Sequence, residues 1–116
     1  MTTGLVTIYC TAESEDVGMH IATALVKERL VACVNISDGT RSVYEDQGTL
    51  LLVNEVTLYM KTSEDKVEAA IARIKEVHTY QTPCIAVWPI VSVNEDYKEW
   101  VLNQLSLEEH RSLDEH

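Results

Sequence analysis

The chain has 116 residues, 46% of them apolar and 24% charged, with two Pro and four Gly, enough to bury one core and contrary to a disordered, collagenous or low-complexity class. Nineteen Asp and Glu against nine Lys and Arg give a formal charge of -10, which repels polyanions and sets nucleic acid and anionic membranes aside as direct ligands. No apolar run reaches the roughly 20 residues of a bilayer span and the first residues lack a secretory pattern, so the expected compartment is the cytoplasm, where Cys10, Cys33 and Cys84 remain thiols.

Gly4 to Cys10 mixes β-branched and aromatic residues over a strand's length and then breaks into polar residues. Ser14 can accept from an unpaired amide, and Glu15 and Asp16 suit the positive end of a helix dipole. Val17, Ile21, Ala24 and Leu25 follow with helical spacing, and Leu30 extends the apolar face, which predicts a first helix over about residues 15–30. Val31-Ala-Cys-Val-Asn-Ile is a second strand that resumes at Arg41 after the turn-like Ser37-Asp-Gly. Asp46-Gln-Gly48 reverses the chain into a third strand from Thr49 to Lys61. At about 3.3 Å per residue this strand spans roughly 40 Å, far more than a compact domain with a radius of gyration near 13 Å can cover. Part of the hairpin must project. Its apolar residues and unpaired edge then need a cover, so an obligate oligomer is expected.

Ser63-Glu-Asp opens a second helix that buries Val67, Ala70, Ile71, Ile74 and Val77 and stops near His78. Thr82-Pro83 leads into a fourth strand, Cys84 to Val91, in which Pro89 marks an edge or a bulge because it cannot donate to a ladder. Asn94-Glu-Asp caps a third helix with Tyr97, Trp100, Val101, Gln104 and Leu105 inward. Residues 1–107 form one domain, and 108–116 are a charged tail expected to fray. Val6-Thr-Ile-Tyr-Cys before Ser14-Glu-Asp is echoed by Val56-Thr-Leu-Tyr-Met before Ser63-Glu-Asp, a strand-helix unit met twice. Two such units give βαββαβ, and right-handed crossovers place both helices on one face of a four-stranded sheet. The predicted class is therefore α+β, a ferredoxin-like split βαβ sandwich with a projecting hairpin and an extra C-terminal helix.

There is no Gly-rich phosphate loop, GxSxG or HExxH, and no residue pair presents itself as nucleophile and base, so no enzyme is expected. Soft-ligand chemistry remains. Cys10 ends the first strand and His78 the second helix, positions from which side chains emerge; thiolate with imidazole selects copper or zinc, and Cys84 lies six residues beyond His78. The alternatives stay open: a packed thiol at Cys10, a helix C-terminal imidazole complementing the dipole at His78, an inward strand position at Cys84. His20 is a solvated helix residue, and His110 and His116 lie in the acidic tail. Tyr9, Tyr44, Tyr59, Tyr80, Trp88 and Trp100 suit a core or an interface. Lys61, opposite Glu45 or Glu55, is either a surface ion-pair partner or part of a cleft between subunits.

Several segments together resemble the CutA family of divalent-cation tolerance proteins. The likeness runs from about Val6 to Trp100, through Cys10-Thr-Ala, Glu28-Arg-Leu-Val-Ala-Cys-Val-Asn35, Ser42-Val-Tyr44, Met60-Lys-Thr62, His78-Thr-Tyr80-Gln-Thr-Pro83, Pro89-Ile90 and Tyr97 with Trp100. The resemblance implies a ferredoxin-like subunit, a tight homotrimer made by exchange of the long hairpin strands, and binding of divalent copper and similar ions in metal tolerance. Cys10 matches the family cysteine associated with copper, and His78 the histidine of a His-Pro-Tyr segment. This chain departs in Val77, Thr79 and Cys84, where a second histidine, a proline and an acid occur in members of the family. Its tip reads Tyr44-Glu-Asp-Gln-Gly-Thr49, without the Trp and Lys usual there. The expectation is a homotrimer with no obligatory cofactor that holds divalent copper at Cys10, His78 and Cys84. The alternative is a ligand-sensing or scaffold trimer with an inter-subunit cleft at Lys61, Glu55 and Tyr80, metal being incidental.

Overall fold

Two adjacent strands form the centre of the molecule. The computed structural model describes residues 3–107; in it β1 (Leu5–Ala12) pairs antiparallel with β3 (Thr49–Ser63) on one side and β4 (Ile85–Pro89) on the other. β2 (Cys33–Asp46) flanks β3, giving the order β2-β3-β1-β4. With α1 (Glu15–Lys27) and α2 (Val67–Val77) the chain runs βαββαβ, and α3 (Glu95–Ser106) follows. This is the α+β, ferredoxin-like arrangement expected from the sequence. The two echoing segments are β1 with α1 and β3 with α2, and Pro89 lies in an edge strand.

One face of the sheet is dry. Ile8 and Cys10 of β1 and Leu58 and Met60 of β3 meet Ile21 and Leu25 of α1 and Ala70 and Ile74 of α2, all fully buried. Each of the larger aliphatic side chains contributes about 1.5–3 kcal/mol relative to exposure. Gly18 lets α1 lie close, since a Cβ there would come within 3.1 Å of Val56 Cγ2. Ser14 caps α1 by accepting from the Val17 amide at 3.2 Å, while a bidentate contact from Arg73 of α2 to Glu28 ties the helices together.

Helix α1 is shorter than its apolar spacing predicts. Arg29 takes a left-handed φ of 60°, and the amides of Leu30 and Val31 both return to the Leu25 carbonyl, closing a turn that still delivers Leu30 to the core. The Leu30 carbonyl then accepts from the buried Thr62 hydroxyl at 2.7 Å. Ser63 does not cap α2: its hydroxyl bonds Asp65, and a 3-10 turn at Glu64–Lys66 precedes the helix. Likewise the Asn94 amide donates to the Asp96 carboxylate instead of capping the α3 backbone. Helix α3 packs Val101 and Leu105 on Leu5 and Ala32 in a second, smaller cluster, while Trp100 stacks on Tyr97 and stays partly exposed.

β2 runs as a single strand through both of its extended stretches. The Ser37-Asp-Gly segment is absorbed as an irregularity between Ser37 and Thr40, with Gly39 at φ 86°. At the tip Gln47 and Gly48 both have positive φ, 51° and 83°, and Asp46 pairs with Thr49, which is a two-residue type I′ turn matched to strand twist. The hairpin extends beyond the helices: the radius of gyration is 15.3 Å and the longest dimension 49 Å, against about 13 Å for the radius of a compact domain of this size. Val43, Leu50 and Leu52 are 64%, 74% and 67% exposed on it. Opposite the helices, Tyr9 stands within ring contact of Tyr59 at 5.9 Å and Trp88 at 5.4 Å. Among the described residues no helix is long and apolar enough to cross a membrane. The tail over residues 108–116, with His110 and His116, lies outside the described residues.

Candidate functional site

The site is built where β1 ends. The β1–β4 ladder stops at Cys10 opposite Ile85, so Thr11 stands past it and its carbonyl is free to take other donors. His78, the residue that closes α2, supplies one: its Nε2 lies 2.8 Å from the Thr11 oxygen. Cys10 supplies another through its thiol, at 3.5 Å. The second imidazole nitrogen, Nδ1, accepts from the Tyr80 amide at 3.0 Å. A carbonyl can only accept and an amide N–H can only donate, so the tautomer is fixed with the proton on Nε2.

Tyr80 extends the chain of contacts. Its ring lies 4.8 Å from the imidazole, and its hydroxyl donates to Glu55 Oε2 at 2.7 Å while Ser42 donates to Oε1. Thr79 beside it anchors the loop by donating to Glu13 at 2.6 Å. Ser42, Tyr44, Glu55, Tyr80, Thr82 and Cys84 line an open cavity of about 440 Å³. Burial, and then the hydrogen bond to the Glu55 carboxylate, push the Tyr80 phenol up.

Cys10 and His78 are thus brought together, but as hydrogen donors to one oxygen. Ligation requires a thiolate and an imidazole nitrogen with a free lone pair. Burial foremost, with the Cys84 thiol and the Glu55 carboxylate adding to it, pushes the Cys10 thiol up to about 12, and neither ring nitrogen of His78 is open. In this arrangement Cys10 is fully buried and both His78 nitrogens are engaged, so an ion has to displace these contacts to reach them. Among the described residues no group of three or more His, Cys, Asp or Glu could hold one. Cys84 is exposed and lies on the cavity wall.

The raised thiol predicts an alkaline effect. The unfolded chain releases the Cys10 proton near 9.0 and the folded chain near 12, so in that window the folded state holds more protons. Stability is whole below pH 9 and falls as pH rises toward 12, by up to about 1.4 kcal/mol per pH unit. Denaturant midpoints measured between pH 9 and pH 10 should fall in the wild type, and Cys10→Ala should flatten that slope.

Lys61 is placed elsewhere. Counting from the tip, the register puts Glu45 opposite Leu50, Glu55 opposite Thr40, and Lys61 opposite Cys33, and the Lys61 ammonium donates to Asn35. Six residues separate it from Glu55 along β3, roughly 20 Å at strand rise. Within the chain the expected trio therefore divides into a Glu55–Tyr80 pair and a distant Lys61. His20 is exposed on α1. Sequence reasoning missed Ser42 and the Thr11 carbonyl. Ser42 was readable, since register from the tip pairs it with Val53, two residues from Glu55 on the same face; no side-chain pattern marks a backbone oxygen.

The chain is a four-stranded split βαβ fold with an overlong hairpin and a pocket at the hairpin's base. The CutA1 divalent ion tolerance protein family matches residues 6–104, and the chain belongs to it. It is 39% identical to the divalent-cation tolerance protein CutA of Thermus thermophilus over 94 residues, 81% of this chain and 91% of that one. A chloroplastic CutA protein of Arabidopsis thaliana is 33% identical over 84% of this chain and 54% of its own. The crystal structure of the divalent ion tolerance protein CutA1 from Ehrlichia chaffeensis superposes with a TM-score of 0.87 at 27% identity, covering 92% of this chain and 99% of that chain.

Proposed function

We propose that the protein is a non-enzymatic, cytoplasmic homotrimer in divalent-cation tolerance, and that it binds copper-type ions at the pockets its subunits share. The observation that carries this reading is the hairpin, whose Val43, Leu50 and Leu52 stand uncovered on one subunit. Apolar chains in that number stay soluble when other copies cover them. The formal charge of -10 favours cations as ligands. Cys84, expected as an ion ligand, and Glu55, expected in the inter-subunit cleft, both line the cavity with lone pairs to offer. Cys10 and His78 act from behind, by shaping the wall.

Calorimetric titration of the assembled protein with Cu2+ tests the ligand set. Cys84→Ser and Glu55→Gln should each weaken binding by about tenfold or more, the scale of losing a charge-assisted contact, whereas Cys10→Ala should leave it within about twofold. Unchanged affinity in both pocket variants contradicts the reading. A second reading, small-molecule sensing, is favoured by the cavity itself: about 440 Å³ with an oriented carboxylate and two tyrosine walls lies within the range of ligand pockets.

A further inference from the structure

We propose that His78 is a positioning residue, a two-ended latch that fastens the loop bearing Tyr80 to the end of β1 and thereby holds the phenol on Glu55. The inference rests on the reading of the Glu55–Tyr80 pocket as the binding site. It departs from the role that an emergent histidine beside a cysteine first suggests.

Three contacts carry it. The ring bridges the Thr11 carbonyl and the Tyr80 amide, groups 69 residues apart in the chain, using one nitrogen for each. The Tyr80 side chain leaves the same residue whose amide is held, and its hydroxyl reaches Glu55. The imidazole also stacks under the Tyr80 ring at a tilt of 37°. The ring is buried, so losing either end leaves a ring nitrogen without a partner away from water. A donor at one end and an acceptor at the other, spaced by the width of the ring, is a requirement that neutral histidine meets. An ion at either nitrogen has to break one of the two ends first.

Isosteric substitution separates the ends. In His78→Asn the amide oxygen replaces Nδ1 and still accepts from the Tyr80 N–H, as in an Asx turn. In His78→Gln the amide nitrogen replaces Nε2 and still donates to Thr11, but the Tyr80 amide loses its acceptor. Hydrogen exchange of the Tyr80 amide should therefore stay slow in the wild type and His78→Asn and accelerate about tenfold or more in His78→Gln, the kinetic counterpart of one lost hydrogen bond. Long-range 1H–15N spectra of the wild type, which need no variant, should show the proton on Nε2 and ring nitrogens that do not shift when Zn2+ is added.

Equal Tyr80 exchange in all three proteins overturns the latch, as does a His78 ring nitrogen that shifts with Zn2+. Insensitivity of Cu2+ binding to Glu55→Gln instead overturns the pocket reading, while the exchange and tautomer results still decide the latch.

Discussion

Leu50→Glu combined with Leu52→Glu is expected to break the assembly into folded single subunits. The two side chains lie on one face of β3, with Val43 paired directly opposite Leu52, and they are the most exposed large aliphatics of the hairpin. Each contributes about 1.5–3 kcal/mol when covered, and a carboxylate in the same place must be desolvated without a partner. In the proposed trimer the substitutions repeat in every copy, so the losses accumulate around it. Both residues lie beyond the helices and outside the core, so the fold of the subunit is retained. Light scattering after size-exclusion chromatography reads the mass, and circular dichroism the fold. An undiminished mass means that this face of the hairpin is not an interface.

Leu58→Ala is expected to destabilise the subunit by about 2–5 kcal/mol, the range for a buried leucine whose cavity does not fully collapse. Leu58 is fully buried between Cys10 of β1 and Ile36 of β2. Its Cδ1 lies 3.5 Å from the position a Cβ on Gly18 would take, so the strand and α1 meet there. Urea midpoints at one fixed protein concentration check this, because unfolding that is coupled to dissociation varies with concentration. A loss below about 1 kcal/mol would mean that α1 settles into the vacated space.

The architecture was legible where one physical signal acted alone. Ser14 before Glu15 and Asp16 marked a helix start, Gln47-Gly48 a tight reversal, and Pro89 an edge. Where two signals competed the reading drifted. Leu30 keeps helical period with Leu25, yet the left-handed turn at Arg29 ends α1 first and still buries Leu30. Asp38-Gly39 has the composition of a turn, and β2 runs through it as an irregularity because pairing with β3 is maintained on both sides.

The site was legible by residue type and misleading by role. Glu55 and Tyr80 were nominated and lie in contact. Lys61 was misplaced because its partner depended on the hairpin register, which the two-residue tip sets and which leaves it beside Asn35. Cys10 and His78 drew notice as soft ligands, and they do converge. What they converge on is the Thr11 carbonyl, a backbone acceptor that turns both into donors. Composition displays side chains, and here a main-chain oxygen decides which end of a thiol or an imidazole faces the neighbour.

Sedimentation velocity of the wild-type chain at neutral pH and micromolar concentration is the most direct test of the whole account. A single species of three times the chain mass, unchanged on dilution, is the predicted result. A well-folded species of one chain mass would contradict it, since Val43, Leu50 and Leu52 would then lie open to water and the pocket beside them would belong to one subunit alone.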